Sequence, residues 1–600
     1  MHHNEVVDQF LGYFSDRGHH PLSDASLIPP EGDTSGLFVN SGMHVIKPYF
    51  YGSREPPASR LCSVQKCIRT NDIDDVGTNR RTLTFFAMLG SWSIGDYGRE
   101  EAMPFAHDLL TNGFGLEPDK LWVTYFGGDD KVPEDLETKL QWEKVGLPED
   151  RIIGLGAEDN FWSAGATGLC GPCTEVYYDR GEEYGCDDVA CKPGCDCDRY
   201  LEIWNAGVFM QYDRQEDGSL KDLPMKSIDT GAGLERIAML LQGVSSAYDT
   251  TLFAPIVASI ESAAGGRSDA INSGNKSVRI IADHVRAASA LIAEGLMPSN
   301  TDRGYILRRL LRRSVNHASM LGIDKDGLAS IVSATTAQLG EDYDHIRDRS
   351  DHIKDVATRE YKAFARTLRK GQRELEKALG ALKGSGALDP AVAFRLFDTH
   401  GFPVELTAEI CEERGVLVDM SAFDALMEAH RERSRASAAG RFRSGLADQS
   451  VMSTRYHTAT HLLHQALRDV LGDTVEQKGS NINPERLRFD FSYERALTRA
   501  EIESVEEIVN ARIDDGLEVI CQEMDTQAAI DAGAIGLFGD KYGKTVSVYS
   551  VGSYSKELCQ GPHVSNTSEL GLFKIKKEQS SSAGVRRIKA VLKDGDTPPK

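Results

Sequence analysis

No apolar run in this 600-residue chain approaches the roughly twenty residues that span a bilayer. The opening stretch from Met1 to Phe10 is polar where a secretory leader would carry an apolar core. A cytoplasmic protein with no membrane partner is expected. Positive charge is also scarce: 68 Lys and Arg stand against 91 Asp and Glu, a net charge of −23. That balance excludes binding nucleic acid by bulk attraction, so any RNA contact must be local. There is no Gly-x-x-x-x-Gly-Lys-Ser/Thr loop, which excludes a Walker-type nucleotide site, and no repeat at a solenoid period. Of eleven cysteines, six crowd between Cys170 and Cys197. In a cytoplasmic chain of this size they are not a disulfide framework, which leaves metal binding or plain burial.

What is present is enough apolar residue, 40% of the chain, for three to four domains. Residues 1–243 mix short β-branched or aromatic runs such as LWVTYF and EVYYD with helical stretches. Residues 244–437 turn helical, with apolar residues three and four apart through SVRIIADHVRAASALIAEGL. Residues 438–452 lose that period and read as a linker. Residues 453–593 open on a helix around HTATHLLHQAL, continue through alternating segments such as RLRFDFSY, and precede a polar tail at 594–600. The fold class is α+β and multidomain.

One segment meets the demand for a local basic surface. In DRGYILRRLLRR, Ile306, Leu307, Leu310 and Leu311 recur at helical spacing beside Arg303, Arg308, Arg309, Arg312 and Arg313. The apolar face would pack and leave the arginines available to RNA, or the arginines would form an ordinary solvated face.

Two groups have the residue types of metal sites. His457 and His461 lie four apart, so on a helix they share one face, and Cys559 and His563 repeat the spacing across a Gly-Pro turn. Zinc favours that nitrogen and thiolate set. Cys186, Cys191, Cys195 and Cys197 sit in a Gly- and Asp-rich loop too polar to bury four thiols, which suggests a second, structural zinc or else free thiols. Arg69 and Arg236 are candidates to hold phosphate oxygens, and Gly231 and Gly233 before LERIAMLL would let backbone approach a nucleotide closely.

Taken together, LFVNSGM, TFFAMLGSWSIGDY, NFWSAGATGLCGPCTEVYYD, DRYLEIWNAGVFMQY, DTGAGLERIA and HTATHLLH with CQGPH resemble the alanyl-tRNA synthetases, a class II family. The resemblance implies a class II antiparallel-sheet catalytic core, a helical tRNA-recognition domain and an α+β editing domain. It implies ATP with Mg2+, L-alanine and tRNA(Ala) as ligands, with Arg69 and Arg236 on ATP and Asp229 on the substrate ammonium. Trp162 and Asn205 would shape the alanine pocket, and Asp302, Arg313 and Asp398 would read the acceptor stem. His457, His461, Cys559 and His563 would hold the editing zinc beside Gln477 and Arg586, where seryl and glycyl esters are cleaved.

The departures are specific. Ala87 and Ser91 replace the family's usual Glu and Asn, the loop after Arg69 is short, and Gln560 and Pro562 alter the family's CGGTH. No room remains before HTATHLLH for the β-barrel that usually precedes the editing core. The chain also ends soon after GVRRIKAVL, from which a monomer is expected. Ala87 motivates the rival expectation of a deacylase acting only in trans; a third reading, an RNA-binding paralogue without aminoacylation activity, has the retained Arg69, Asp229, Arg236 and His/Cys set against it.

Overall fold

The computed structural model describes residues 1–30, 33, 36–266, 271–382, 386–439, 450–535, 545–559, 561–582 and 584–593. Contacts divide the chain into two compact units, Met1–Asp419 and Met420–Lys600.

The first unit is built on a nine-stranded sheet. Its strands are β1 (His20–Pro21), β2 (Arg60–Ile68), β3 (Phe85–Ser93), β4 (Leu121–Phe126), β5 (Ile152–Leu155), β6 (Phe161–Ser163), β7 (Gly168–Asp179), β8 (Tyr200–Arg214) and β9 (Leu220–Gly233). They lie in the order β1-β2-β3-β9-β8-β7-β4-β5, with β6 also on β7. Every pairing from β2 through β4 is antiparallel, and only the two edges are parallel. The expected antiparallel core is therefore present.

The helix Lys276–Ala293 begins at Asn275, whose side chain accepts from the Ser277 and Val278 amides, and it is buried along almost its whole length. Its polar side chains are paired inside, His284 with Asp283, Arg286 with Glu235 and Arg279 with the Ser273 and Asn79 carbonyls, which lets them be buried. It packs against β3, against the helix Asp302–Met320 and against Lys325–Asp342. These helices therefore belong to the same compact unit as the sheet. A short parallel ribbon, β10 (Ala387–Leu388) with β11 (Leu417–Val418), closes the unit.

The second unit holds two antiparallel sheets. One has the order β12 (Gln477–Asn483), β13 (Arg486–Ser492), β18 (Val585–Lys593) and β17 (Leu572–Ser582). The other runs β14 (Val519–Asp525), β15 (Thr545–Val551) and β16 (Ser555–Leu558). Its main core joins Leu462, Leu463 and Leu467 of the helix Val451–Leu471 and Val505 and Val509 of the helix Arg499–Asp514 to Phe489, Phe491 and Ile588 of the first sheet. Of the expected linker at 438–452, residues 440–449 lie outside the described residues, and the segments flanking them are helical. The tail at 594–600 is also outside them. Among the described residues, no helix is long and apolar enough to cross a membrane.

Candidate active sites

Strand register decides which side chains share a face. In the centre of the large sheet Met88 is paired with Gly233, Gly90 with Gly231 and Trp92 with Asp229, while β8 sets Asn205 beside Gly231 and β7 sets Glu175 beside Asn205. Cross-strand partners point the same way, so Asp229, Gly231, Gly233, Asn205 and Glu175 occupy one face. Gly90 is required there: a Cβ on it would lie 2.4 Å from the Trp92 ring, which crosses over it. The indole Nε1 of Trp92 in turn donates to Asp229 Oδ1 at 2.5 Å. Burial pushes the Asp229 carboxyl up to about 7, and the Trp92 hydrogen bond only partly offsets this. Trp162, on β6, packs against the apolar cluster that contains Trp92. Asn205 Nδ2 donates to Glu175 at 3.5 Å, while its buried Oδ1 has no hydrogen-bond partner among the described residues.

Both arginines reach this face. Arg236, in the helix Leu234–Leu241 that follows β9, donates through Nη1 to the Glu202 carbonyl at 2.8 Å and carboxylate at 2.7 Å. Arg69 is exposed at the end of β2, its guanidinium 4.9 Å from the centre of the Phe86 ring. Burial works against the Glu202 charge, but Arg236, Arg69 and Arg81 together hold its carboxyl below the usual range. Glu175 goes the other way: burial and the Glu202 charge push it up to about 8. Arg69 and Arg236 therefore share one electrostatic neighbourhood, and the same strand that feeds Arg236 carries Asp229.

The second unit gathers the expected His and Cys residues, whose ligand atoms all lie within 4.8 Å of one another. His457 Nδ1 meets the Pro562 carbonyl at 3.1 Å, which leaves Nε2 at 3.3 Å from Cys559 Sγ. His563 Nδ1 meets Thr458 Oγ1 at 3.0 Å, leaving its Nε2 at 3.4 Å from the same sulfur. Outer partners thus fix which nitrogen points inward. His461 has a buried Nδ1 without a partner among the described residues. Burial lowers His457 to about 4 and also lowers His461 and His563, so all three imidazoles are neutral and able to ligate. The residues present fit a zinc ion.

Gln477, Phe491 and Arg586 form one row across β12, β13 and β18. The histidine-bearing helix packs on β12 and β13. Arg586 donates to Glu578 at 2.5 Å. Two functional candidates escaped the sequence reading. Glu557 is buried, meets His464 Nδ1 at 3.0 Å and lies 3.7 Å from His461 Nε2. His464 completes a 457, 461, 464 stripe whose helical spacing was the available signal.

Comparisons with known proteins place the chain in a family. Residues 5–479 match the family described as tRNA synthetases class II (A), and residues 546–589 match the threonyl and alanyl tRNA synthetase second additional domain. The alanine–tRNA ligase of Treponema pallidum (strain Nichols) is 46% identical over 596 residues, covering 98% of each chain. This chain belongs to the alanine–tRNA ligase family. The member from Borrelia hermsii is 43% identical, with 98% of this chain and 100% of that one covered. The Clostridioides difficile member is 37% identical over 703 aligned positions, covering 98% of this chain and 79% of that one. The alignment is longer than this chain, so that relative carries internal segments absent here.

Within the family frame, the two substitutions in β3 fall on the face away from the site. Ala87 pairs with Lys66, and its amide is held by Glu235, which also binds Arg286 at 3.0 Å. Ser91 Oγ bonds Thr230 Oγ1 at 2.8 Å on that same side. The site side chains Met88 and Trp92 alternate with them.

The expectation that the basic helix leaves its arginines available is corrected. Arg303 donates to the Leu37 carbonyl, Arg308 to Asn300, Arg309 to Asp74 and Arg312 to Glu360. Arg313 is buried, donating to Glu409 at 3.0 Å and to the Ile73 carbonyl at 2.5 Å. Acids of the same unit claim this charge because the chain is rich in them. Asp302 and Asp398 are exposed, and Asp302 is the one non-glycine residue with positive φ, +51°, among those described. That conformation suits asparagine or aspartate better than most residues.

In the cysteine loop, Cys186 and Cys195 sulfurs are 3.6 Å apart and those of Cys191 and Cys197 3.5 Å, with all four within 4.8 Å. Cys170 and Cys173 are instead buried in the sheet.

Proposed function

We propose that this chain is a cytoplasmic alanine–tRNA ligase: it activates L-alanine with ATP, transfers it to tRNA(Ala), and hydrolyses seryl and glycyl esters of that tRNA. Residues 1–243 carry activation, 244–437 handle the acceptor stem through Asp302 and Asp398, and 453–593 carry editing. The observation that carries activation is the single face holding Asp229, Gly231, Asn205 and the arginine-bearing helix.

The alanine ammonium donates to Asp229, whose ionised form it favours, and to the unpartnered Asn205 Oδ1. An oxygen of the alanine carboxylate then attacks the α-phosphorus and pyrophosphate leaves. Arg69 and Arg236 hold the phosphate charge during this displacement. Glu175 and Glu202 have the chemistry to bind a Mg2+ that accompanies ATP. A pocket sized for alanine by Trp162 rejects glycine and serine poorly, which is why a second site is needed.

In that second site His457, His461, Cys559 and His563 would hold zinc, which supplies a Lewis-acidic anchor for the ester. Gln477 and Arg586 line its approach. Cys186, Cys191, Cys195 and Cys197 would hold a second, structural zinc. The rival reading of a deacylase without ligase activity loses its motive, because Ala87 faces away from the substrate. Aminoacylation with alanine and deacylation of seryl-tRNA(Ala), assayed on one preparation, test both halves. Deacylation without aminoacylation would reject the ligase.

A further inference from the structure

We infer that the four-cysteine loop between β7 and β8 is a closed zinc centre that holds the loop carrying Arg69 in place for ATP, acting through Arg81. The inference rests on reading the four cysteines as a metal site.

The sulfur geometry supports that reading. Four thiolates around zinc at about 2.3 Å lie about 3.8 Å from one another. The two closest pairs here, at 3.6 and 3.5 Å, with every sulfur within 4.8 Å of the others, approximate that tetrahedron. The backbone folds to allow it. The Cys195 amide donates to the Lys192 carbonyl at 3.0 Å, and Gly194 between them takes φ +91°. Of residues 186–197 only Pro193 is buried, so a shared ion is what would fix the shape of the rest.

Arg81 reads that shape. Its guanidinium donates to the Asp196 carbonyl at 3.0 Å, the Cys197 carbonyl at 3.2 Å and the Asp198 carboxylate at 2.6 Å. Two of these three acceptors are backbone carbonyls of the knuckle, whose direction depends on how the cysteines are held. Arg81 lies on the returning limb of the loop between β2 and β3. That loop is closed at its base by the Arg69 amide on the Thr84 carbonyl at 2.9 Å. Arg279 on the Asn79 carbonyl at 3.1 Å and Asp283 on the Thr84 amide at 2.8 Å hold it from the helix Lys276–Ala293. Arg81 supplies a further hold, from the cysteine loop.

The same cysteine loop runs directly into Arg199, which pairs with Asp179 at 3.0 Å through both nitrogens, and then into β8. Three residues past Arg199 stands Glu202, the partner of Arg236. Both arginines of the activation site are thus tied to this loop. A zinc with four thiolates carries a net double negative charge, which Arg81 and Arg199 flank. All four positions are filled by protein sulfur, so the role is positioning and not catalysis.

Zinc content per chain, with KM for ATP and for alanine in pyrophosphate exchange, tests the inference on the full-length protein. The native chain should contain two zinc ions and Cys195→Ser/Cys197→Ser one. That variant should show KM for ATP raised about tenfold, KM for alanine within about twofold of native and seryl-tRNA deacylation unchanged. Arg81→Ala should keep both ions and reproduce the rise in KM for ATP, with Arg81→Lys partly restoring it. An unchanged zinc content in the double-serine variant overturns the metal centre itself. Loss of one zinc with KM for ATP unchanged, or Arg81→Ala with native KM for ATP, overturns the positioning role and leaves the metal centre standing.

Discussion

Trp92 Nε1 donates to Asp229 Oδ1 at 2.5 Å, and among the described residues no other side-chain hydrogen bond offsets the burial that pushes this carboxyl up to about 7. In Trp92→Phe the donor is lost, so the carboxylate is further disfavoured and KM for alanine should rise about tenfold with KM for ATP little changed. Equal increases in both constants would mean that Trp92 supports the fold and not the ammonium site.

The same carboxyl makes a stability prediction. Its folded pKa lies above the ordinary value of 3.8, so its contribution is full below that value and is lost as pH rises through about 7. Asp229→Asn should therefore stabilise the fold by about 2 kcal/mol at about pH 8 and by much less at about pH 4. Thermal unfolding of both proteins across that range checks the sign; a variant less stable at the higher pH contradicts it.

Ala87 and Ser91 lie on the sheet face opposite Trp92 and Asp229, so Ala87→Ser should leave KM for ATP and alanine within about twofold while lowering stability by about 1 kcal/mol. A tenfold fall in exchange would place position 87 in the activation chemistry.

Arg313 and Glu409 form a buried pair, with side chains 8% and 13% exposed. Burial alone would raise the Glu409 carboxyl, but hydrogen bonds from His317 and Arg313 and their charges hold it well below the carboxylate range. Its stabilising contribution is present above about pH 4 and lost on acidification. Arg313→Ala should cost about 3 kcal/mol at neutral pH, read by urea unfolding. A native midpoint with weakened tRNA binding would restore Arg313 to RNA contact.

Glu557 meets His464 and approaches His461, one of the four proposed zinc ligands. Glu557→Gln should weaken zinc binding about tenfold, measured against a competing chelator, and leave ATP–pyrophosphate exchange at the native rate. Unaltered zinc affinity would remove Glu557 from the site.

Much of this was legible because it rests on local spacing. The i, i+4 histidines and the Gly-x-Gly before LERIAMLL need only a helix and a strand end to be placed. What sequence hid was register and partner. Nothing in FFAMLGSWS says that Trp92 points at Asp229 while Ala87 points away; that follows from pairing with β9, 137 residues later for Trp92. The arginine-rich helix misled for a related reason. Its charges are neutralised by Asp74, Glu360 and Glu409, which approach only through folding.

The most direct measurement is alanine-dependent ATP–pyrophosphate exchange by the native chain and by Asp229→Asn. The native chain should exchange with alanine, and the variant should lose that dependence by about a thousandfold while remaining folded. Exchange that ignores alanine in the native chain, or survives intact in the variant, would contradict the assignment of this sheet face to amino-acid activation.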